Sequence, residues 1–123
     1  MKVAILVHSD PKAGEEALGR VFNALAVAHD LDQRGSEVRI LFLGTGTRWI
    51  AALADPDHPV HGLFELVKCQ VEGVSRACAA VFGATDEVEA SPFAFVDDNP
   101  IPGVGGLPSV AHLLSEGFSV LTY

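Results

Sequence analysis

The chain has 123 residues, which is the size of one domain with a single core and no internal linker. Its apolar share is 49% against a charged share of 20%, so a lone copy leaves apolar surface in water and a homo-oligomer is expected to cover it. Sixteen acids against eight Lys and Arg give a net charge of −8, and no basic cluster offsets it; this argues against nucleic-acid binding and against docking on anionic membranes.

Lys2 to His8 (K-V-A-I-L-V-H) is a continuous apolar run rich in β-branched residues, the pattern of a strand buried on both faces in a parallel sheet. A secretory signal needs a longer run than Val3 to Val7, and no segment reaches the roughly 20 apolar residues of a bilayer span. A cytoplasmic protein is therefore expected, with Cys69 and Cys78 as reduced thiols. After the polar turn Ser9 to Gly14, Leu18, Val21, Phe22, Leu25, Ala28 and Leu31 recur every three or four residues, which predicts a helix over 15–34. Glu15 and Glu16 suit its positive end, and Gly35 stands where a left-handed cap belongs. Glu37 to Leu43 is the second strand, stopped by Gly44-Thr45-Gly46-Thr47. Strand, helix and strand in so short a span make a right-handed βαβ unit, so the two strands are parallel.

Arg48 to Ala54 is a candidate short helix, and Asp55 to Pro59 a loop. His61 to Glu72 is amphipathic, with Leu63, Leu66, Val67 and Val71 on one side. Val74 to Cys78 is a short candidate strand, and Ala79 to Ala90 a helix weakened by Gly83. Ser91 to Pro108 is rich in Pro, Gly and Asp and is expected to be a long loop holding one extended piece near Phe93 to Val96. Pro108 to Glu116 makes a last helix, and Phe118 to Tyr123 a closing strand. The order β-α-β-α-α-β-α-loop-α-β predicts an α/β three-layer sandwich around a mostly parallel sheet.

Cys78 carries the most chemical interest. It is placed where a strand gives way to a helix, at the carboxyl edge of the sheet, where ligands and reactive groups of open α/β folds collect. The helix dipole favours a thiolate there, and Arg76, two residues back along a strand, would share its face. The competing reading is a free cysteine that packs as a small hydrophobe. His8 ends the first strand at the same edge and is the other candidate neighbour. Cys69 has no motif around it, and the spacing of the two cysteines fits neither a C-x-x-C nor a zinc pattern. His58 and His61 lie among prolines without a third ligand nearby, so no metal is expected. His112 is expected to be packed and hydrogen-bonded, and His29 to lie on a helix surface. Trp49 and Phe64 are candidates for pocket wall, interface or core. The glycine-rich turns match no nucleotide-binding motif, Pro11 removes a donor from the first loop, and no Ser has a G-x-S-x-G setting; neither a cofactor nor hydrolase chemistry is indicated.

Three segments together, K-V-A-I-L-V-H with its long helix, G-V-S-R-A-C-A-A-V-F-G (73–83) and S-V-A-H-L-L-S-E-G-F-S-V-L-T-Y (109–123), resemble the DsrE/DsrF-like (YchN-like) family over nearly the whole chain. The resemblance implies a mostly parallel, five-stranded sheet assembled as trimers or hexamers. It also implies sulfur relay without a cofactor, in which a cysteine after the third strand accepts a persulfide from a donor and passes it to an acceptor protein. Cys78 stands at the matching place, with Arg76 and His8 as supporting groups and the loop after Pro100 lying over it. Some relatives carry a second cysteine where this chain has Ser75, so only one thiol is offered here. The alternative within the same fold is an oligomeric binding or assembly protein in which Cys78 has no catalytic role.

Overall fold

A computed structural model describes residues 1–123. In chain order the elements are β1 (Lys2–Val7), α1 (Glu15–Gln33), β2 (Glu37–Phe42), a 3-10 turn (Gly44–Arg48), α2 (Trp49–Ala54), α3 (His61–Val67), a second 3-10 turn (Lys68–Gln70) and β3 (Val71–Ser75). Then come α4 (Arg76–Val81), α5 (Thr85–Glu89), β4 (Phe95–Val96), β5 (Asn99–Ile101), β6 (Gly105–Leu107), α6 (Val110–Ser115) and β7 (Ser119–Thr122). Five strands form one sheet in the order β4-β3-β2-β1-β7, and every neighbouring pair is parallel. No helix is long and apolar enough to cross a membrane.

The strand order explains the layers. From β1 to β4 each strand is laid beside the last in one direction. Val3, Ile5 and Val7 pack under α1, α2, α3 and α5 in a core that includes Leu25, Phe42, Trp49, Leu53 and Phe64. Only β7 is added on the far side of β1, and α6, the helix before it, covers the other face: Ala4, Leu6, Leu41 and Leu43 meet Leu113 and Phe118. The architecture is the expected sandwich, but its second layer is thin. Trp49 and Phe64 are both core residues.

Helix α1 ends as its sequence predicts. Gly35 (φ 81°) follows the helix, Ser36 N–H donates to Leu31 O, and Gly35 N–H to Asp32 O, the paired bonds of a Schellman cap. Gly117 (φ 90°) closes α6 in the same way, with Phe118 N–H on Leu113 O and Gly117 N–H on Leu114 O. Phe22, placed on the apolar stripe by spacing, lies at its edge and is half exposed, because Ala17, Val21, Leu25 and Ala28 form the buried line.

The middle of the chain departs from expectation. Helix α3 stops at Val67, and Val71 already pairs with Ile40, so β3 runs from Val71 to Ser75 and not from Val74 to Cys78. Leu66, assigned to the apolar side, is exposed. The expected helix from Ala79 to Ala90 is two short helices, because Gly83 takes φ 73° between them. The segment 91–108 holds the extended piece expected near Phe93 to Val96, but the rest of it is not plain loop. Phe95 and Val96 add the fifth strand beside β3, and β5 and β6 form an antiparallel hairpin. Its turn is Pro102-Gly103, with Gly103 at φ 77° and Val104 N–H donating to Ile101 O, the geometry a Pro-Gly pair favours.

Candidate functional site

Because β3 ends at Ser75, Arg76 and Cys78 both lie in the first turn of α4. Ser75 is the N-cap: its fully buried hydroxyl accepts the Cys78 N–H at 3.3 Å. That bond fixes where the cysteine sits, just beyond the carboxyl end of β3. Cys78 is half-buried and packs against the smaller core, as Val96 and Val110 also do. Both cysteines are free thiols, and Cys69 is exposed on the 3-10 turn after α3.

Arg76 does not share a face with Cys78, as a strand would have it, because both residues lie on a helix. Residues two apart on a helix point to different sides. Arg76 turns outward, pairs with Asp97 at 2.8 Å and stacks on Phe95 with its guanidinium carbon 4.5 Å from the ring centre. It thereby ties the base of the β5–β6 hairpin to α4. Gly105 lies against Ala77, and a side chain at Gly106 would collide with Asp97, so the hairpin lies close on this helix. Its outer residues Ile101 and Val104, with Val81 of α4, leave apolar surface exposed, Val81 at 72%.

His8 is exposed at the end of β1, where Tyr123 O accepts its N–H at 2.8 Å. It borders a shallow concavity of about 210 Å³ with Asp10, Glu16, Arg20 and Tyr123. Two strand spacings, about 10 Å, separate β1 from β3. Cys78 and Arg76 line none of the three concavities of the surface, so the three residues singled out from sequence share no pocket within one chain.

The histidines are held elsewhere. His58 Nδ1 accepts the Val60 N–H at 3.1 Å, and His61 donates Nδ1–H to Leu53 O at 2.6 Å. No group of three or more His, Cys, Asp or Glu is placed to hold a metal ion. His112, expected to be packed, is exposed on α6 and reaches Glu116 one turn on. It borders a charged group under α6 that spacing did not reveal. Arg39 of β2 lies 3.5 Å from Glu72, 3.4 Å from Glu116 and 3.3 Å from Glu37, and stacks on Phe118 at 4.4 Å. Burial pushes the Glu72 carboxyl above its ordinary range, and Arg39 only partly opposes this. Glu65, on α3, is shifted the other way, mainly by the hydrogen bond it accepts from Lys68.

The sheet is parallel and five-stranded, and the chain belongs to the DsrE/DsrF-like family, whose model matches residues 1–123. Among individual proteins, it is 32% identical over 89 residues to an uncharacterized protein of Methanocaldococcus jannaschii, covering 72% of this chain and 73% of that one. The crystal structure of the YchN protein from E. coli superposes over the whole of both chains with a TM-score of 0.57 and 19% identity, a likeness of fold.

Proposed function

We propose that this protein carries sulfane sulfur as a persulfide on Cys78, as a sulfurtransferase-like relay protein of the cytoplasm. The family is associated with sulfur relay. The observation that carries the proposal is the cysteine's setting: a partly accessible thiol in the first turn of α4, held at the carboxyl edge by a buried cap. The chemistry needs one thiol. The Cys78 thiolate attacks the outer sulfur of a donor such as thiosulfate, the donor's S–S bond breaks, and sulfite leaves with the electron pair. An acceptor thiolate then attacks the outer sulfur of Cys78–S–SH, and the Cys78 thiolate departs. Neither step uses a metal or an organic cofactor. The proposal includes assembly into a homo-oligomer, trimer or hexamer. The apolar residues exposed on α4 and the β5–β6 hairpin support it, since a second copy seated there would remove them from water and wall the thiol.

The packing of Cys78 against the smaller core favours a second reading, an assembly protein in which the thiol only fills space. Intact-protein mass spectrometry after incubation with thiosulfate separates the two. A persulfide adds one sulfur, about 32 Da; the adduct is expected to disappear in Cys78→Ser and persist in Cys69→Ser. No adduct, or equal labelling of both thiols, refutes relay through Cys78 and leaves the assembly reading.

A further inference from the structure

The largest cleft of the molecule, about 300 Å³, is separate from the Cys78 surface. It opens beyond the carboxyl ends of β1 and β2, between the loop after β1, the turn into α2 and the turn from α4 to α5. Open parallel sheets collect ligands at that edge.

The walls are built and cross-tied. Arg48 donates Nε–H to Phe82 O at 3.1 Å and Nη1–H to Asp10 at 2.8 Å, so one side chain joins all three segments. Trp49 donates its indole N–H to Ser9 O at 2.7 Å, and the fully buried Thr47 hydroxyl donates to Gly44 O at 2.9 Å. Walls fixed before a ligand arrives reduce the ordering cost of binding. The space exists because Ala51, Ala52, Gly83 and Ala84 present almost no side chain to it.

Charge and size narrow the ligand. Lys12, Arg48 and Glu87 are the charged lining residues, and Asp10 already offsets Arg48. The cleft thus offers both signs with no large excess of either. A simple anion meets Glu87 and the net −8 of the chain, whereas a simple cation meets Lys12 and Arg48. A molecule carrying both charges finds a partner for each. The Phe82 ring and the alanines add apolar wall to the same cleft, and its volume lies at the small end for ligand sites.

We propose that this cleft binds a small zwitterion with an apolar side chain, the chemistry of a free aliphatic or aromatic α-amino acid. Its carboxylate is directed to Lys12 and Arg48, its ammonium to Glu87, and its side chain to Phe82 and Ala51. The test is calorimetric titration of the full-length protein with L-leucine and L-phenylalanine, beside 4-methylpentanoate (the acid alone) and 3-methylbutylamine (the amine alone). Saturable binding of an amino acid is expected, with both single-charge analogues weaker. Glu87→Gln and Lys12→Gln each weaken it by about three- to fivefold, the worth of an exposed ion pair. Ala51→Phe fills the cleft and abolishes binding while the fold, followed by circular dichroism, is retained. Cys78→Ser leaves binding unchanged, which keeps this site's test independent of sulfur transfer. No saturable heat with either amino acid, analogues that bind as tightly as the amino acids, or full binding in Ala51→Phe would overturn the proposal.

Discussion

Ser75→Ala is a stringent probe of how the chain holds its cysteine. The substitution keeps Cβ and deletes one hydroxyl that is fully buried and accepts the Cys78 N–H. Losing an N-cap acceptor costs about 1 kcal/mol, and the amide left without a partner raises the cost further. Relief from burying a hydroxyl offsets part of that, so a net loss of about 1–2 kcal/mol is expected. At about 2.1 cal/mol/K of unfolding entropy per residue, this corresponds to a fall in Tm of about 4–8 °C for a 123-residue chain. Differential scanning calorimetry reads the shift, and amide exchange of Cys78 reads its cause, because that one amide should lose protection selectively. A Tm within about 1 °C of the natural chain, with Cys78 exchange unchanged, would refute the capping role.

Gly46→Ala should destabilise by about 1–3 kcal/mol, since its Cβ would press into the Val7 carbonyl oxygen and neither backbone segment is free to yield; urea unfolding with an unchanged slope is the check. Glu72→Gln tests the raised carboxyl. A folded-state pKa above the unfolded one means the native chain binds that proton more tightly, a contribution present at acid pH and lost as pH rises through the folded value. The Tm of Glu72→Gln relative to the natural chain should therefore improve between about pH 4 and pH 7, and a difference that shrinks over that range contradicts the assignment. For Arg76 and Asp97, both about half exposed, a double-mutant cycle should give a coupling below about 1 kcal/mol that fades with salt. A coupling of about 2 kcal/mol or more would mean that the ion pair holds the hairpin far more firmly than its exposure suggests.

What could be read from the sequence was what repeats along it. The period of α1, its Gly35 cap, the apolar run of β1 and the final Ser109-to-Tyr123 block each carry several residues that agree, and each is found in place. The errors cluster where an element is too short to show a period. β3 has five residues and α4 six, so the strand-to-helix change at Ser75 leaves no repeat to measure, and the apolar pattern places the boundary three residues late. That displacement alone places Arg76 on the face of Cys78. The cue was present, because a Ser followed by Arg-Ala-Cys-Ala-Ala suits a helix cap better than a strand interior. The Pro102-Gly103 turn was likewise a readable hairpin signal that composition alone submerged. The cleft had no such signal. It depends on Arg48 meeting Phe82 and Asp10 across 34 and 38 residues, and on alanines whose significance lies in what they leave empty.

The position of α4 links the two candidate places. Ala79 belongs to the main core, Cys78 leans on the smaller one, and Arg76 faces Asp97. At the other end Phe82, whose N–H donates to Cys78 O at 2.9 Å, forms a wall of the cleft. One short helix therefore carries the thiol at its start and leads into the cleft at its end. A short helix has few internal hydrogen bonds to resist displacement, so its placement depends on Ser75 before it and on the Arg48 contact with Phe82 after it. This gives the variants different signatures. Cys78→Ser removes the thiol and leaves α4 in place, so it should affect sulfur transfer alone. Ser75→Ala loosens the start of the helix and should slow sulfur transfer and weaken amino-acid binding together. If Ser75→Ala alters one without the other, α4 does not move as a unit, and the cleft and the thiol are mechanically independent.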